Sequence, residues 1–335
     1  MIKLAIDAMG GDFAPKSPVL GAMRAIKAFK DLEITLYGNE AEIRKYLTSE
    51  ERIKIVHTEN FIPMDEHDPV RAIRKNPDAS LVIAMKSCKN KENDGLVAAT
   101  ATQAIIVGAH MIIKRIPQMS RVALAPLIPS LDGKGRLFLD SGANTELRPE
   151  HLEELALYAT AAAKVLFNVL NPRVGLLNIG TEEGKGRQVD QETYELLKNN
   201  PKINFVGNIE TKDVLNPDCE VLLTDGFTGN MVIKTVEGVA KTTGVMLKQE
   251  IKRSLGGMIG ALFMRKNLNA YKKRLNADEV GGAMLCGVSV PVVKPHGSSD
   301  DYAFFHGIRR CYELVKSDLL GKVNEMLPAK EGNYE

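Results

Sequence analysis

Tryptophan is absent from the 335 residues, and aromatic residues make up only 5% of them. A chain so poor in flat side chains lacks the stacking platforms with which proteins grip bases or sugar rings. Cysteine is scarce too, since Cys88, Cys219, Cys286 and Cys311 stand far apart and form no CxxC pair. That spacing argues against zinc and against a disulfide framework, and it suits small core residues in a reducing cytoplasm. An excess of either charge is also missing: the formal net charge is +2, so no global field draws the protein to nucleic acid or to an acidic partner. No apolar run approaches the ~20 residues of a membrane span, and the first residues read as a strand rather than as a basic and then apolar leader. What remains, with 44% hydrophobic and 26% charged residues, is the composition of a soluble globular protein long enough for a large core.

The chain opens on residues 2–6, a short apolar run that reads as a buried strand, and passes straight into DAMGGDFAP at 7–15. Gly10 and Gly11 permit positive φ and let backbone N–H groups come close to a ligand. Ser17 then reads as a helix cap, with Pro18 at the first helical position. A glycine turn between a strand end and a helix start is where unpaired N–H groups and the helix dipole favour a phosphate. Turn geometry alone would also account for two glycines, so the rest of the chain has to decide.

The rest repeats the same grammar. Residues 33–37, 52–57, 95–99, 122–128 and 136–139, and then 174–179, 203–206 and 220–223, read as strands. Between them Asn39 and Asp78 are placed to cap helices, 102–116 is apolar enough for a largely buried helix, and Asp190 reads as the cap of a helix ending at Asn199. From Pro149 an amphipathic helix sets Leu152, Leu155, Ala156 and Ala159 on one face, and a last helix fills 302–326. This alternation predicts an α/β fold on a mostly parallel sheet. No Pro/Gly/Ser linker divides it, so two tightly packed lobes within a single unit spanning 1–335 are expected.

In open α/β sheets, ligands bind beyond the carboxyl ends of the strands. The segments expected there are DAMGGD at 7–12, DSGAN at 140–144, GTEEGKG at 180–186, GNIE at 207–210, DGFTGN at 225–230 and HGSSDD at 296–301. Glycine lets the backbone approach, Asn, Ser and Thr donate hydrogen bonds, and Lys185 adds a mobile positive charge suited to phosphate. Six such loops point to a phosphate-handling site. Competing signatures are missing: there is no GxxxxGK[ST], GxSxG or HExxH, and GTEEGKG is not a GxGxxG fingerprint. The histidines are scattered, so no metal is expected. His296 alone stands out, because Gly297, Ser298 and Ser299 follow it in one of the glycine loops.

Taken in order, DAMGGDFAP, LDSGAN with PEHL, RVGLLNIGTEEGKG, NFVGNIE, TDGFTGN and GGAMLCGV leading into HGSS closely resemble the bacterial acyl-ACP:phosphate acyltransferase family of fatty acid and phospholipid synthesis, the PlsX family. The resemblance runs from Ile2 to about Tyr302. It implies a three-layer αβα sandwich similar to isocitrate and isopropylmalate dehydrogenases and to phosphotransacetylases, usually as a homodimer and without a cofactor. The implied reaction moves a long-chain acyl group from acyl carrier protein to inorganic phosphate, giving acyl phosphate for a membrane glycerol-3-phosphate acyltransferase. From the matching motifs it implies Lys185 and Asn230 as catalytic, and Asp7, Gly10, Gly11, Asn144, Gly184, Gly186, Asp225, Thr228, Gly229, His296, Ser298 and Ser299 as phosphate- or substrate-binding. Asp225 could orient Lys185 or cap a turn. Two places differ from the family pattern: AATATQA at 98–104 stands where SAGNTGA is usual, and Asp300 stands where asparagine is usual. The alternatives are a phosphate- or lipid-sensing relative without activity, and a metal- and NAD-dependent decarboxylating dehydrogenase of the related fold. For the dehydrogenase, neither metal carboxylates nor an adenine pocket are visible.

Residues 246–275 differ from everything around them. Eight Lys or Arg residues face the single acid Glu250, giving this segment +7 against about −5 for the rest of the chain. Between the basic arms lies LGGMIGALFM at 255–264, too short to cross a bilayer. A basic helical hairpin tipped by Met258, Ile259, Leu262, Phe263 and Met264 suits an anionic membrane surface, an acidic partner or a subunit interface. The family resemblance turns the expectation toward the membrane, as a peripheral contact from the cytoplasmic side.

Overall fold

In the computed structural model, which describes residues 1–275 and 281–328, the expected alternation closes into one mixed sheet with helices on both faces. The first half supplies β1 (Ile2–Asp7), α1 (Lys16–Ala28), β2 (Leu32–Gly38), α2 (Glu40–Arg44), β3 (Ile53–His57), α3 (Pro69–Lys75), α4 (Ser80–Lys89), β4 (Gly95–Val97), α5 (Thr102–Gly108), β5 (Ala123–Ile128) and β6 (Arg136–Leu139). The second half supplies α6 (Pro149–Phe167), β7 (Arg173–Asn178), α7 (Gln188–Asn199), β8 (Asn204–Glu210), β9 (Val221–Leu223), α8 (Gly226–Lys252), α9 (Leu255–Phe263), α10 (Arg265–Leu275), β10 (Ala283–Cys286), β11 (Val292–Lys294), α11 (Asp301–Lys316) and α12 (Leu319–Met326). The strand order is β3-β2-β1-β4-β11-β10-β5-β6-β9-β7-β8. Strands pair in parallel except where β10 meets β11 and β5, and where β5 meets β6. β1, β4 and β11 therefore run opposite to β6, β9 and β7.

Side-chain alternation sorts the sheet into two faces. Leu4 and Ile6 of β1, Leu137 and Leu139 of β6, and Val293 of β11 join one continuous core with residues of α1, α6, α11 and α12. The other face is divided. Ala5, Leu96 and Leu285 pack with α4 and α5, whereas Phe138, Leu177 and Leu222 pack with Val232, Ile233 and Val236 of α8. Strand β5 carries both of these cores on the same face, with Leu124 in the first and Ile128 in the second. Pro126 falls between them, and a cleft opens there.

Several local expectations change. The first helix begins at Lys16 with Pro15 at its cap, and Ser17 is buried inside it. Helix α4 begins after Ala79, because the Asp78 carboxylate accepts from Asn60 Nδ2 at 2.6 Å instead of capping. Asp190 is the third residue of α7 and reaches back to the Arg187 N–H at 2.8 Å. The buried helix from 102 shifts to π geometry at Ala109–Ile113, and the last helix divides at Asp318, which caps α12 by accepting from Gly321 N. GNIE is strand rather than loop, since β8 absorbs extra residues beside Gly175 in a bulge that includes Gly207, at φ +91°, and then continues to Glu210.

Candidate active site

The polar loops do not converge on one point. They gather in two clusters that leave the sheet in opposite strand directions. The first lies at the ends of β1, β4 and β11. Here Asp7 is buried, accepting from Ser80 Oγ at 2.6 Å, from Thr100 Oγ1 and from Met9 N at 3.2 Å. Burial pushes its carboxyl above the usual carboxylate range, against the pull of those three donors. A side chain at Gly10 would collide with Thr100 Oγ1 and with Asp7, and Gly11 takes φ +102° to turn the chain. Asp12 N then donates to Gly297 O at 2.8 Å, joining the 7–12 turn to the loop after β11. In that loop Ser298 N donates to His296 Nδ1 at 3.2 Å, and the Ser298 hydroxyl lies 2.8 Å from the same atom. Nδ1 is thereby the acceptor and the ring proton sits on Nε2. His296 and Ser298 face solvent, while Ser299 and Asp7 lie beneath them.

The second cluster surrounds the start of α8. Buried Asp140 accepts from the N–H groups of Leu124, Gly142, Ala143 and Asn144 at 2.8–3.1 Å. Asn144 directs its amide to Val122 O at 2.7 Å and to Asp140 at 2.8 Å, and its own carbonyl accepts from Gly226 N at 2.9 Å. Any side chain at Gly229 would overlap the Asp140 carbonyl oxygen, so the helix start sits directly on this loop. Asp225 caps α8, accepting from Thr228 N at 2.7 Å, and also pairs with Arg187. Arg187 is held in addition by Asp190 at 2.8 Å, and the two carboxylates, Asp190 first, keep its guanidinium firmly charged. That pair ties the 180–187 loop to α8. The loop is pinned from below, as Asn178 donates to Lys185 O at 3.1 Å and Asn208 to Glu182 O at 2.8 Å. Gln191 adds bonds to the carbonyls of Gly184 and Gly186. Lys185 itself is half exposed, its ammonium 3.8 Å from Glu182. Asn230 is exposed and packs over Gly142.

Between the clusters runs the cleft left by the divided face, a groove of about 1010 Å³. His296 and Ser298 line one part of it, Pro126 to Pro129 form its floor, and α8 forms a wall from Val232 to Lys252. Val232 stands two residues beyond Asn230. The groove thus runs from an exposed His–Ser pair along the apolar side of α8, the helix whose first turn carries Asn230. Chemically, the second cluster offers a cation and an amide, and the groove offers an imidazole and a hydroxyl beside space for an apolar group. Among the described residues no group of three or more His, Cys, Asp or Glu side chains is arranged to hold a metal ion.

Comparison with known proteins identifies the fold and the family. The model of the family described as Fatty acid synthesis protein matches residues 2–322. A phosphate acyltransferase of Acholeplasma laidlawii is 44% identical over 333 residues, covering 99% of this chain and 100% of its own. The chain belongs to the phosphate acyltransferase family. A second member, from Bacillus cereus strain G9842, is 43% identical over 97% of this chain and 98% of its own. Among solved structures, a phosphotransacetylase from Streptococcus pyogenes superposes with a TM-score of 0.63 at 17% identity, covering 96% of this chain and 94% of its own. A branched-chain phosphotransacylase from Enterococcus faecalis V583 gives 0.57 at 15% identity, over 94% and 100%. The three-layer fold is that of the phosphotransacetylases.

Within this family fold, four residues of the two clusters escape a reading of the sequence. Ser80 and Thr100 meet Asp7 from 73 and 93 positions away, a juxtaposition with no local signal. Asp140 was legible as part of DSGAN, but not as the hub of its loop. Arg187, one residue past GTEEGKG, pairs with Asp225 across 38 positions. The run of an acid, two glycines and a lysine before it was the signal that could have drawn attention to it.

Proposed function

We propose that the protein transfers a long-chain acyl group from the thioester of acyl carrier protein to inorganic phosphate, yielding acyl phosphate for phosphatidic acid synthesis. A phosphate oxygen attacks the thioester carbonyl carbon, the new C–O bond forms, the C–S bond breaks, and the carrier thiol leaves with a proton from the phosphate. Lys185 attracts the phosphate, and the Asn230 amide donates to the oxyanion that develops on the carbonyl. The observation that carries this is an exposed lysine and an exposed amide on two segments locked together by Arg187 and Asp225. Preorganised donors of this kind are worth ~3 kcal/mol each, about a hundredfold in rate. Holding the two reactants together supplies the rest.

The remaining sites divide their work. Asn144, Gly229 and Asp225 build the platform under Asn230, and Asp7 with Gly10 and Gly11 shapes the turn beneath His296 and Ser298. The homodimer is supported by the outer side of α8, where Phe227, Met231 and Val239 are all more than half exposed. The hairpin of α9 and α10 contacts the cytoplasmic face of the membrane, so that acyl phosphate is released beside its membrane acceptor.

The test is turnover of long-chain acyl carrier protein with phosphate, the product being trapped as hydroxamate with and without EDTA. Wild type should form phosphate-dependent, EDTA-resistant product. Lys185→Ala, an exposed position, should fall about a hundredfold with an unchanged thermal midpoint. A variant with full turnover would remove Lys185 from the mechanism.

A further inference from the structure

Helix α8 is unusual in that small residues fall on its groove side midway along the wall, at Ala240 and Gly244. A Cβ built at Gly244 meets no atom within 4 Å, so a side chain added on this stretch of wall would enter open space. On either side the wall is Ile233 and Val236 before it and Leu247 and Ile251 after it. These positions recur every three to four residues, one stripe of the helix facing the cleft. The stripe from Ile233 to Ile251 is ~27 Å long at ~1.5 Å per residue. An extended chain of ~16 carbons, at roughly 1.3 Å per methylene for C–C bonds of ~1.5 Å, spans ~21 Å and fits within it. The volume lies at the upper end of the ~300–1,000 Å³ that small-molecule sites occupy. Lys241, Lys248 and Lys252 border the groove against the single acid Glu237, so its rim is cationic while its wall is apolar.

We infer that the groove along α8 seats one long acyl chain with an anionic head, and that Ala240 and Gly244 set the chain length it accepts; this rests on the acyl transfer proposed above. An apolar wall, a cationic rim and a polar section at His296 and Ser298 match an amphiphile of that kind. The carbonyl end lies toward the start of α8, where Asn230 meets it, and the tail points to Ala261, Leu268 and Tyr271 of α9 and α10.

Replacing Gly244 by leucine adds a bulky side chain on the groove side and favours the helix, so the variant should fold. Two measurements on the full-length protein test the inference. The first is fluorescence titration with cis-parinaric acid, an 18-carbon probe that brightens in apolar sites. Binding should weaken at least tenfold in Gly244→Leu and in Ala240→Leu. The second is the ratio of 16-carbon to 6-carbon acyl turnover, which should fall at least tenfold in both variants. Probe binding equal to that of wild type would overturn the inference, as would a turnover ratio that does not move. Conversion of Gly244→Leu to monomers with the same loss at every chain length would instead make the groove a subunit interface. Probe binding that Gly244→Leu abolishes, in a wild type with no turnover at any chain length, would sustain the groove and defeat the proposed reaction.

Discussion

At the scale of single residues, the two departures from the family pattern acquire structural roles. Thr100, where the family usually has glycine, turns its hydroxyl inward onto Asp7. Asp300, where asparagine is usual, caps α11 by accepting from Tyr302 N at 3.1 Å and Ala303 N at 2.8 Å, a task that Asn and Asp perform about equally well. Neither change needs a loss of activity to explain it. Asp7 carries a consequence for stability. Burial raises its folded-state pKa above the unfolded value, so the native state binds this proton more tightly than the unfolded chain does. Stability from this group is therefore complete below the unfolded pKa of ~3.9 and is lost as pH rises through the folded value. Asp7→Asn keeps an acceptor for Ser80 and removes the titration. Its urea midpoint should decline less than that of wild type between pH 4 and pH 7, and parallel pH profiles would disprove the assignment. The cysteines belong to the same scale: all four are buried, and burial lifts the thiols of Cys88 and Cys219 to about 12, so they pack as small apolar groups.

At the scale of elements, α8 joins both halves of the site. Its first turn rests on the 140–144 loop, its next turns close the core around Phe138, and the remainder stands away from the sheet as the wall of the groove. Gly229 is what permits the first of these. A methyl group there meets the Asp140 carbonyl, a backbone atom that cannot move without disturbing the loop. Gly229→Ala should lower the urea-derived stability by ~1–3 kcal/mol. Two and a half turns later, Gly238 faces open space, and Gly238→Ala should stabilise by up to ~1 kcal/mol through helix propensity alone. Equal effects from the two substitutions would mean that the close approach at Gly229 is not what holds the helix start.

For the whole molecule, the uneven charge bears on the membrane contact proposed above. Helix α9 exposes Leu262 at 72% and Phe263 at 86%, and no residue of α9 is buried. Of the basic arms, Lys248, Lys252, Arg253, Arg265 and Lys266 are exposed; the side chains of Lys272, Lys273 and Arg274 lie outside the described residues. Among the described residues no helix is long and apolar enough to cross a membrane. Surface binding would draw on ~1 kcal/mol per basic residue near anionic headgroups. Burying each large apolar side chain of the tip would add ~1.5–3 kcal/mol. Wild type should co-sediment with anionic liposomes at low salt and release as salt is raised. Leu262→Glu combined with Phe263→Glu should abolish that binding with little effect on turnover in solution. If the double variant sediments like wild type but separates into monomers, the hairpin is a subunit interface.

The sequence by itself determined the layers and the chemistry of the loops. Apolar runs of strand length alternating with helical stripes left an α/β sheet as the economical solution, and DAMGGD, GTEEGKG and DGFTGN stood out as polar glycine loops with an amide and a lysine, because those signals are local. The sequence did not show β10 and β11, whose four and three residues carry too little periodicity to be seen. Those two strands join the halves of the sheet, β11 beside β4 and β10 beside β5. Because β10 is antiparallel to both of its neighbours, β5 still runs with β1, and it is the antiparallel pairing of β5 with β6 that sets the two halves running in opposite directions. That separates the polar loops into two clusters, and it divides one face into two cores with a cleft between them. Strand direction, the meeting of Asp7 with Thr100 and of Arg187 with Asp225, and the groove along α8 all depend on packing between distant segments, and only the tertiary structure could decide them.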